Sequence, residues 1–487
     1  MLLSLRYIMI ISHFLKKNTV LLLFLFLSGI YISLVWNNNV WMDEAFTASL
    51  VNTSFRGVID ASMADTLPPL YNICLWLMTA VFSYSIPVMK ITSVIPMIAS
   101  LALSATVAGK RWGKRSAVIL MLCLTFMPLM LYYGVEIRMY SMGFFFAFAS
   151  GVYAYEVAAE GTKKNWILFT VLSVLAGYTH HFAFVTVAFA YLFLLLFFVF
   201  LRRDRIKEWF ICILATFIMY LPCLIVTLRQ ISRVSGYFSM PDVDAGIFIQ
   251  YALYPFTVGV RGASILCALM VIAAVILFLH GVITKKDAKV TTLYLLFCLV
   301  TYYGVLIFGT VISKIMTANI FVDRYLFFSA GLLWLFVAVI LGRSDNRVFY
   351  AALAASAVIG VFTYTVEYRV EYGNSADEEI AFLRENISEG DIYFSIGGHE
   401  EMQNCIPFYT YLDKDTHDLT FVTPLETAVE RSQEAGTTLW VSVLEGFAPA
   451  DDDMKVLRDH GLTLKKEADF EFDRYRCEMY KVIRGTL

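Results

Sequence analysis

Eleven apolar stretches punctuate this sequence, near residues 19–36, 86–108, 116–134, 139–158, 165–179, 182–201, 208–228, 262–284, 290–313, 325–342 and 347–366. All but the short fifth approach the about 20 residues that a helix needs to cross a bilayer. Backbone N–H and C=O groups find no water inside lipid, so such stretches are expected to be helices. Only 16% of the 487 residues are charged, against about 25% in soluble domains. The expectation is an all-α polytopic membrane protein with about 11 transmembrane helices.

Loop charge orients the spans. Arg6, Lys16 and Lys17 precede the first run, and no small-residue cleavage site follows it, which reads as an uncleaved signal-anchor with a cytoplasmic N-terminus. Segment 68–84 is the ambiguous one. Counting it as a span would place Lys110, Arg111, Lys114 and Arg115 outside. Omitting it puts that cluster inside, together with Lys163 and Lys164, the Arg202–Arg205 run, Lys285 and Lys286, and Arg343 and Arg347. Five loops then agree, so 68–84 is expected to be an interfacial or half-inserted helix opened by Pro68 and Pro69.

The same parity puts the chain from Tyr368 onward outside, where its composition changes. Ser375, Ala376, Asp377, Glu378 and Glu379 form a helix-start signal. Asp391–Ile396, Thr437–Val443 and Phe470–Val482 read as strands among helical stretches. Residues 1–367 are therefore expected to form the transmembrane catalytic domain, and 368–487 a small C-terminal extracytoplasmic α/β domain. Asp451, Asp452 and Asp453 read as a solvated helix start. Of eight cysteines, five lie in apolar runs; Cys405 and Cys477 are in the polar tail and are able to pair if it faces an oxidising compartment. A net charge of −2 without a long basic tract excludes nucleic acid as the natural partner.

Polar residues that interrupt apolar surroundings all fall on the outer face. Asp43 and Glu44 follow Trp41 and Met42, and Asp65 precedes Pro68, Pro69 and Tyr71. Glu136, Arg138 and Tyr140 lie between the third and fourth spans, and Tyr178, His180 and His181 between the fifth and sixth. Arg229, Arg233 and Arg261 flank a long loop, and Lys314, Asp323, Arg324 and Tyr325 precede the tenth span. Each has a plain structural explanation alone: acids at a helix start, an interfacial Glu136–Arg138 pair, interfacial histidines, a snorkelling Arg324. Their concentration at one mouth is harder to explain that way. A transporter places such groups near the midplane. A ring of carboxylates and cations at one face suits an enzyme acting on a lipid-linked phosphate, with carboxylates for proton transfer and Arg or Lys for the anion.

Taken in order, these motifs resemble the GT-C superfamily of membrane glycosyltransferases, in the family 39-like branch with protein O-mannosyltransferases and lipid A aminoarabinose transferases. The resemblance rests on the Asp43–Glu44 pair, the D-x-x-P-P-L-Y segment from Asp65 to Tyr71, E-x-R-M-Y from Glu136 to Tyr140, Y-T-H from Tyr178 to His180, and R-Y at Arg324 and Tyr325. It covers about residues 15–365. Leu67 stands where many relatives have His, and His181 where an aromatic is common.

The resemblance implies transfer of a sugar from a polyprenyl-phosphate carrier to a lipid, glycan or protein acceptor, with inversion. Asp43 matches the family's catalytic acid and is expected to be the general base, with Glu44 as the other catalytic candidate. Arg138 and Arg324, then Arg261 and Lys314, are expected to bind the donor phosphate. Asp65, Tyr71, Glu136, Tyr140, His180 and Tyr325 are expected to bind substrate. No cofactor is required and no metal site is assigned; a divalent metal, if used, would find ligands in Asp43, Glu44, Asp65 or His180. Short outer loops lean towards a bacterial cytoplasmic membrane with the site facing outside. The rival readings are a flippase or transporter of polyprenol-linked lipids and an oligosaccharide polymerase or ligase. Labelling of cysteines introduced at Ser344 and Ser375 tests the topology: Ser375 is expected to react from outside only and Ser344 from inside only. Reaction of both from one side would remove the single-face argument.

Overall fold

The structure, a computed structural model, describes residues 18–237, 243–257, 259–284, 289–316, 319–388, 390–396, 420–421, 424–444, 448–471 and 476–485. In chain order the helices are α1 (Asn18–Ile32), α2 (Met42–Val51), α3 (Phe55–Ala64), α4 (Leu70–Val81), α5 (Ile86–Leu103), α6 (Gly109–Trp112), α7 (Lys114–Phe126), α8 (Met130–Val135) and α9 (Tyr140–Ala159). There follow α10 (Lys163–Thr179), α11 (His181–Leu201), α12 (Ile206–Tyr237), α13 (Ala245–Leu253), α14 (Arg261–Ile283), α15 (Lys289–Ile315), α16 (Phe327–Gly342), α17 (Asn346–Tyr372) and α18 (Ala376–Asn386). Two compact units result. The first holds the described residues up to Val35, Phe55–Leu75 and Lys90–Glu367; the second holds Trp36–Ser54, Trp76–Met89 and the described residues from Tyr368 onward.

Among the described residues, eight helical segments are long and apolar enough to cross a membrane. The other three of the eleven apolar stretches contain the shorter helices α1, α7 and α10. Segment 68–84 forms the 12-residue α4, which begins directly after Pro69. α5 runs on through a π-helical turn, Ser104–Ala108, into α6. Gly113, at φ 93°, then reverses the chain into α7, a backbone conformation that L side chains rarely adopt.

Stretch 116–134 is not one helix, contrary to a simple reading of its hydrophobicity. α7 stops at Phe126, with Met127 extended at φ −70°, ψ 160°. Pro128 is the cause, because its ring disfavours helical geometry in the residue before it. Leu129 follows in the left-handed region at φ 67°, the only non-glycine described residue with positive φ. The chain then restarts as α8, whose end delivers Glu136 and Arg138.

α16 is the centre of the first unit: all sixteen of its residues are buried. It packs against α7, α9, α14 and α15. Small residues permit the close approach. A Cβ on Gly342 would lie 2.6 Å from both the backbone N and Cα of Ser116 in α7, atoms that cannot step aside. At the basic-loop end, Arg111 bridges the Glu156 and Glu160 carboxylates, and Arg205 donates to the Gly161 carbonyl at 2.7 Å.

The second unit carries a five-stranded sheet, β1 (Ile392–Ile396), β2 (Thr420–Phe421), β3 (Leu439–Leu444), β4 (Leu462–Glu471) and β5 (Arg476–Arg484), in the order β2-β1-β3-β5-β4. β1 is parallel to β2 and β3; β5 is antiparallel to β3 and β4. α19 (Leu425–Ala435) is the crossover into β3, and α20 (Asp451–Asp459) links β3 to β4. All five β1 residues are buried, as suits a strand between parallel neighbours. Asp391 ties β1 to β3: its carboxylate accepts from Thr438 N at 3.0 Å and Trp440 Nε1 at 3.1 Å.

The strand expected over Phe470–Val482 is instead the end of β4 and most of β5, paired through Phe470 with Cys477 and Glu471 with Arg476. Charge alternation in LTLKKEADFE had masked β4. Across this hairpin Asp469 accepts from Arg476 Nε at 2.7 Å and Lys466 Nζ at 3.1 Å. The two cations hold its carboxyl at about 2, below the ordinary 3.8, so this contribution to stability is present above pH 3.8 and lost as pH falls through 2. The acid run Asp451–Asp453 opens α20, where Asp453 caps Ala450 N at 3.1 Å. Cys405 lies outside the described residues, and with it any pairing to Cys477.

The α16–α7 contact predicts a sharp contrast. Gly342→Ala should destabilise the purified protein by about 1–3 kcal/mol, the usual cost of overpacking, and lower its Tm. Gly29→Ala, with nothing within 4 Å of the added methyl, should not. Equal Tm values for the two variants would contradict the packing described.

Candidate active site

The acid pair belongs to the second unit and occupies the first turn of α2. Acids are favoured there by the helix dipole and by unpaired backbone N–H groups. Glu44 is the third helical residue, and its Oε2 reaches back to accept from Trp41 N at 3.0 Å. Its carboxylate, buried to 4% exposure, is thus engaged as a helix cap. Asp43 is half-buried, and its carbonyl accepts from Thr47 Oγ1 at 2.9 Å. Within the same unit, Asn38 Nδ2 donates to Asp377 Oδ1 at 2.7 Å, and Tyr84 OH to the Ala48 carbonyl at 2.8 Å. The segment before the acid pair is therefore tied to the first turn of α18, and the end of α2 to the segment after α4.

In the first unit, Asp65 turns its own loop by accepting from Thr66 N at 2.6 Å. Gln230 of α12 donates to the Leu67 carbonyl at 3.1 Å. Tyr71 is buried and its hydroxyl shares a 2.7 Å hydrogen bond with Ser93 Oγ. One turn before Ser93 on α5 sits Lys90, with 0% exposure. Lys90 is not among the residues expected at the site, although a single lysine inside an apolar stretch is itself a signal.

The remaining motifs converge. Glu136 is buried beyond the end of α8, and the carbonyl of Glu136 accepts from Arg138 N at 2.6 Å. Tyr140 opens α9 and is buried. His180 sits at the joint between α10 and α11, its ring 4.7 Å from that of Tyr325 and 4.4 Å from that of Phe328. Asp323 and Arg324 lie on the 3-10 turn Asp323–Leu326 that feeds α16, where Asp323 Oδ1 accepts from Arg324 N at 2.7 Å. The charges of Arg138 and Arg324 act on both His180 and Tyr140, and that of Glu136 acts on Tyr140 and Tyr133. Three separated motifs thereby form one cluster of two guanidiniums, an imidazole, carboxylates and phenols.

The aromatic wall of this cluster includes residues that no motif singles out. Tyr133 packs on Tyr140 and Phe327 with centroids 4.9 and 5.0 Å apart, and Tyr254 OH donates to Tyr133 OH at 3.0 Å. Aromatics are so common in this chain that composition concealed it. Arg261, at the start of α14, and Lys314, in the last turn of α15, are exposed. The side chain of Arg233 lies outside the described residues. Among the described residues, no three His, Cys, Asp or Glu side chains form a group able to hold a metal ion.

No protein-family model matches the sequence, and neither does any curated protein. Solved structures do match. ArnT from Cupriavidus metallidurans bound to undecaprenyl phosphate is similar with a TM-score of 0.64 at 10% identity, over 95% of this chain and 98% of that one. The apo form of the same protein gives 0.66 at 10% identity, over 96% and 98%. The apo Archaeoglobus fulgidus oligosaccharyltransferase gives 0.50 at 10% identity, over 88% and 70%. At such identities the likeness is one of fold, and it extends over nearly the whole of both chains for ArnT. This chain has the fold of ArnT, the GT-C fold.

Proposed function

We propose that the protein is a membrane glycosyltransferase that moves a sugar from a polyprenyl-phosphate carrier to an acceptor lipid, glycan or protein, at the outer face of the membrane. The observation that carries this reading is the convergence of Arg138, Arg324, His180 and Tyr140 at one end of the helical unit. Two guanidiniums in buried surroundings are suited to a phosphate, whose charge they meet with directed N–H groups. The ArnT to which this chain is similar is bound to undecaprenyl phosphate, a ligand of the class proposed here.

In the reaction, an acceptor hydroxyl oxygen attacks the anomeric carbon from the face opposite the phosphate. The new C–O bond forms as the glycosyl–phosphate bond breaks, and the configuration inverts. The electron pair leaves with the polyprenyl monophosphate, whose growing charge Arg138 and Arg324 stabilise. The hydroxyl proton passes to Asp43 as general base. Asp43 is preferred over Glu44 because Glu44 is occupied in capping α2 through Trp41 N. Exposed Arg261 and Lys314 serve to attract the anionic headgroup and do not clamp it. Glu136, Tyr140 and Tyr325 line the sugar–phosphate region; Asp65 and Tyr71 bind substrate at the loop held by Gln230. No step requires a metal.

Three outcomes test this reading, all measured on purified protein with radiolabelled polyprenyl-phosphate sugar and release of the carrier phosphate as readout. Asp43→Asn should lower turnover by ~10²–10⁴-fold, the range for loss of general-base catalysis, with donor affinity little changed; turnover near wild type would remove Asp43 from the role. Glu44→Gln should be milder, since an amide oxygen still caps Trp41 N. Arg138→Ala and Arg324→Ala should each weaken donor use by about tenfold or more, whereas Arg261→Ala and Lys163→Ala should change it little. Equal losses in all four would point to folding, and substrate recovered chemically unchanged on the other side of the membrane would favour transport.

A further inference from the structure

We infer that His180 is a neutral hydrogen-bond donor, through Nε2–H, to an oxygen of the phosphate that Arg138 and Arg324 attract. The inference rests on the donor reading above and adds to it a third, uncharged phosphate ligand with a defined tautomer. His180 has 1% exposure, and its Nδ1 accepts from Phe182 N at 3.0 Å. A ring nitrogen that accepts carries no proton, so the ring's hydrogen is on Nε2. That assignment follows from helix geometry, because His180 caps the N-terminus of α11 and the Phe182 N–H has no earlier turn to bond.

The ring cannot turn freely to exchange its nitrogens. It lies against Phe328, Tyr325 and Phe182, with centroids 4.4, 4.7 and 6.2 Å away. Among the described residues, Nε2 meets no hydrogen-bond partner. Buried donors are rarely left so. Among the described residues, the charges of Arg138 and Arg324 act on the ring, together with the neighbouring imidazole of His181. The described residues offer no acceptor for Nε2–H, and two guanidiniums that act on the ring select an anion. Capping alone is a poor account of this residue: Ser, Thr, Asn and Asp are the preferred N-caps, and none brings a second polar atom into the buried cluster.

Because the donor is neutral, its contribution should not change as solution pH crosses the ordinary histidine range. Two substitutions separate the two nitrogens. His180→Asn places an acceptor near the Nδ1 position and removes the distal donor; His180→Gln places an amide N–H near the Nε2 position. The measurement is the Kd of undecaprenyl phosphate for the full chain in nanodiscs at pH 6.5 and 8.5, with Arg138→Ala beside it and Tm recorded for every variant. His180→Asn should bind about tenfold more weakly, by the same factor at both pH values, with His180→Gln recovering most of the loss. The inference is overturned if His180→Asn binds as wild type while Arg138→Ala does not, or if His180→Gln is no better than His180→Asn. It is overturned equally by a loss confined to pH 6.5, which would require an imidazolium. If Arg138→Ala also binds as wild type, the phosphate reading itself fails.

Discussion

The burial of α16 is the constraint on which the helical unit depends. Its sixteen residues are all buried against other helices, and its one hydroxyl, on Ser329, is bonded to the Leu326 carbonyl, so none of its length is available for polar chemistry. Charge is costly in such surroundings, and on this path it appears where the helix begins. Asp323, Arg324 and Tyr325 sit at that limit, on the 3-10 turn that leads into the helix. Close contact with α7 at Gly342 and Ser116 sets the other end. The position of Arg324 is thus a consequence of packing along the whole of α16.

The site is built from interruptions. Pro128 ends α7 and lets Leu129 turn the chain, so that Glu136 and Arg138 arrive at the end of a short helix and not inside a span. His180 breaks the path from α10 to α11 and becomes the cap of the second. Each interruption frees backbone groups from helical hydrogen bonding, and nearby side chains satisfy some of them. Cap formation and chemistry are therefore coupled at Glu44 and at His180: the cap orients a carboxylate at one and selects a tautomer at the other.

The acid pair depends on a different set of contacts. Its segment is grouped with the sheet domain, and Asn38 bonds Asp377 in the first turn of α18. The sheet itself is held by apolar packing of β1 and β3 on α19 and α20, with Asp391 buried between the strand ends. The sheet and the segment that carries the two carboxylates thus belong to one compact unit.

Run length and loop charge are local properties of a chain, and they sufficed for the polytopic helical architecture, the helix at 70–81 and the small mixed domain at the C-terminus. The GT-C likeness was read from five short motifs in order, and the fold agrees with it where overall identity to the solved structures is 10%. Local reading failed where long-range contacts governed. The break at Pro128 was hidden in a continuous apolar run, and β4 was hidden by its charges, which pair across the hairpin with β5. Convergence of Glu136, Arg138, Tyr140, His180 and Arg324 involves residues far apart in the chain, and helix packing alone brings them together. Burial of Lys90 and the exposure of Arg261 and Lys314 have the same origin. A charged residue's type states what it is able to bind, but its neighbours, set by packing, decide whether the charge faces solvent or a shared cluster.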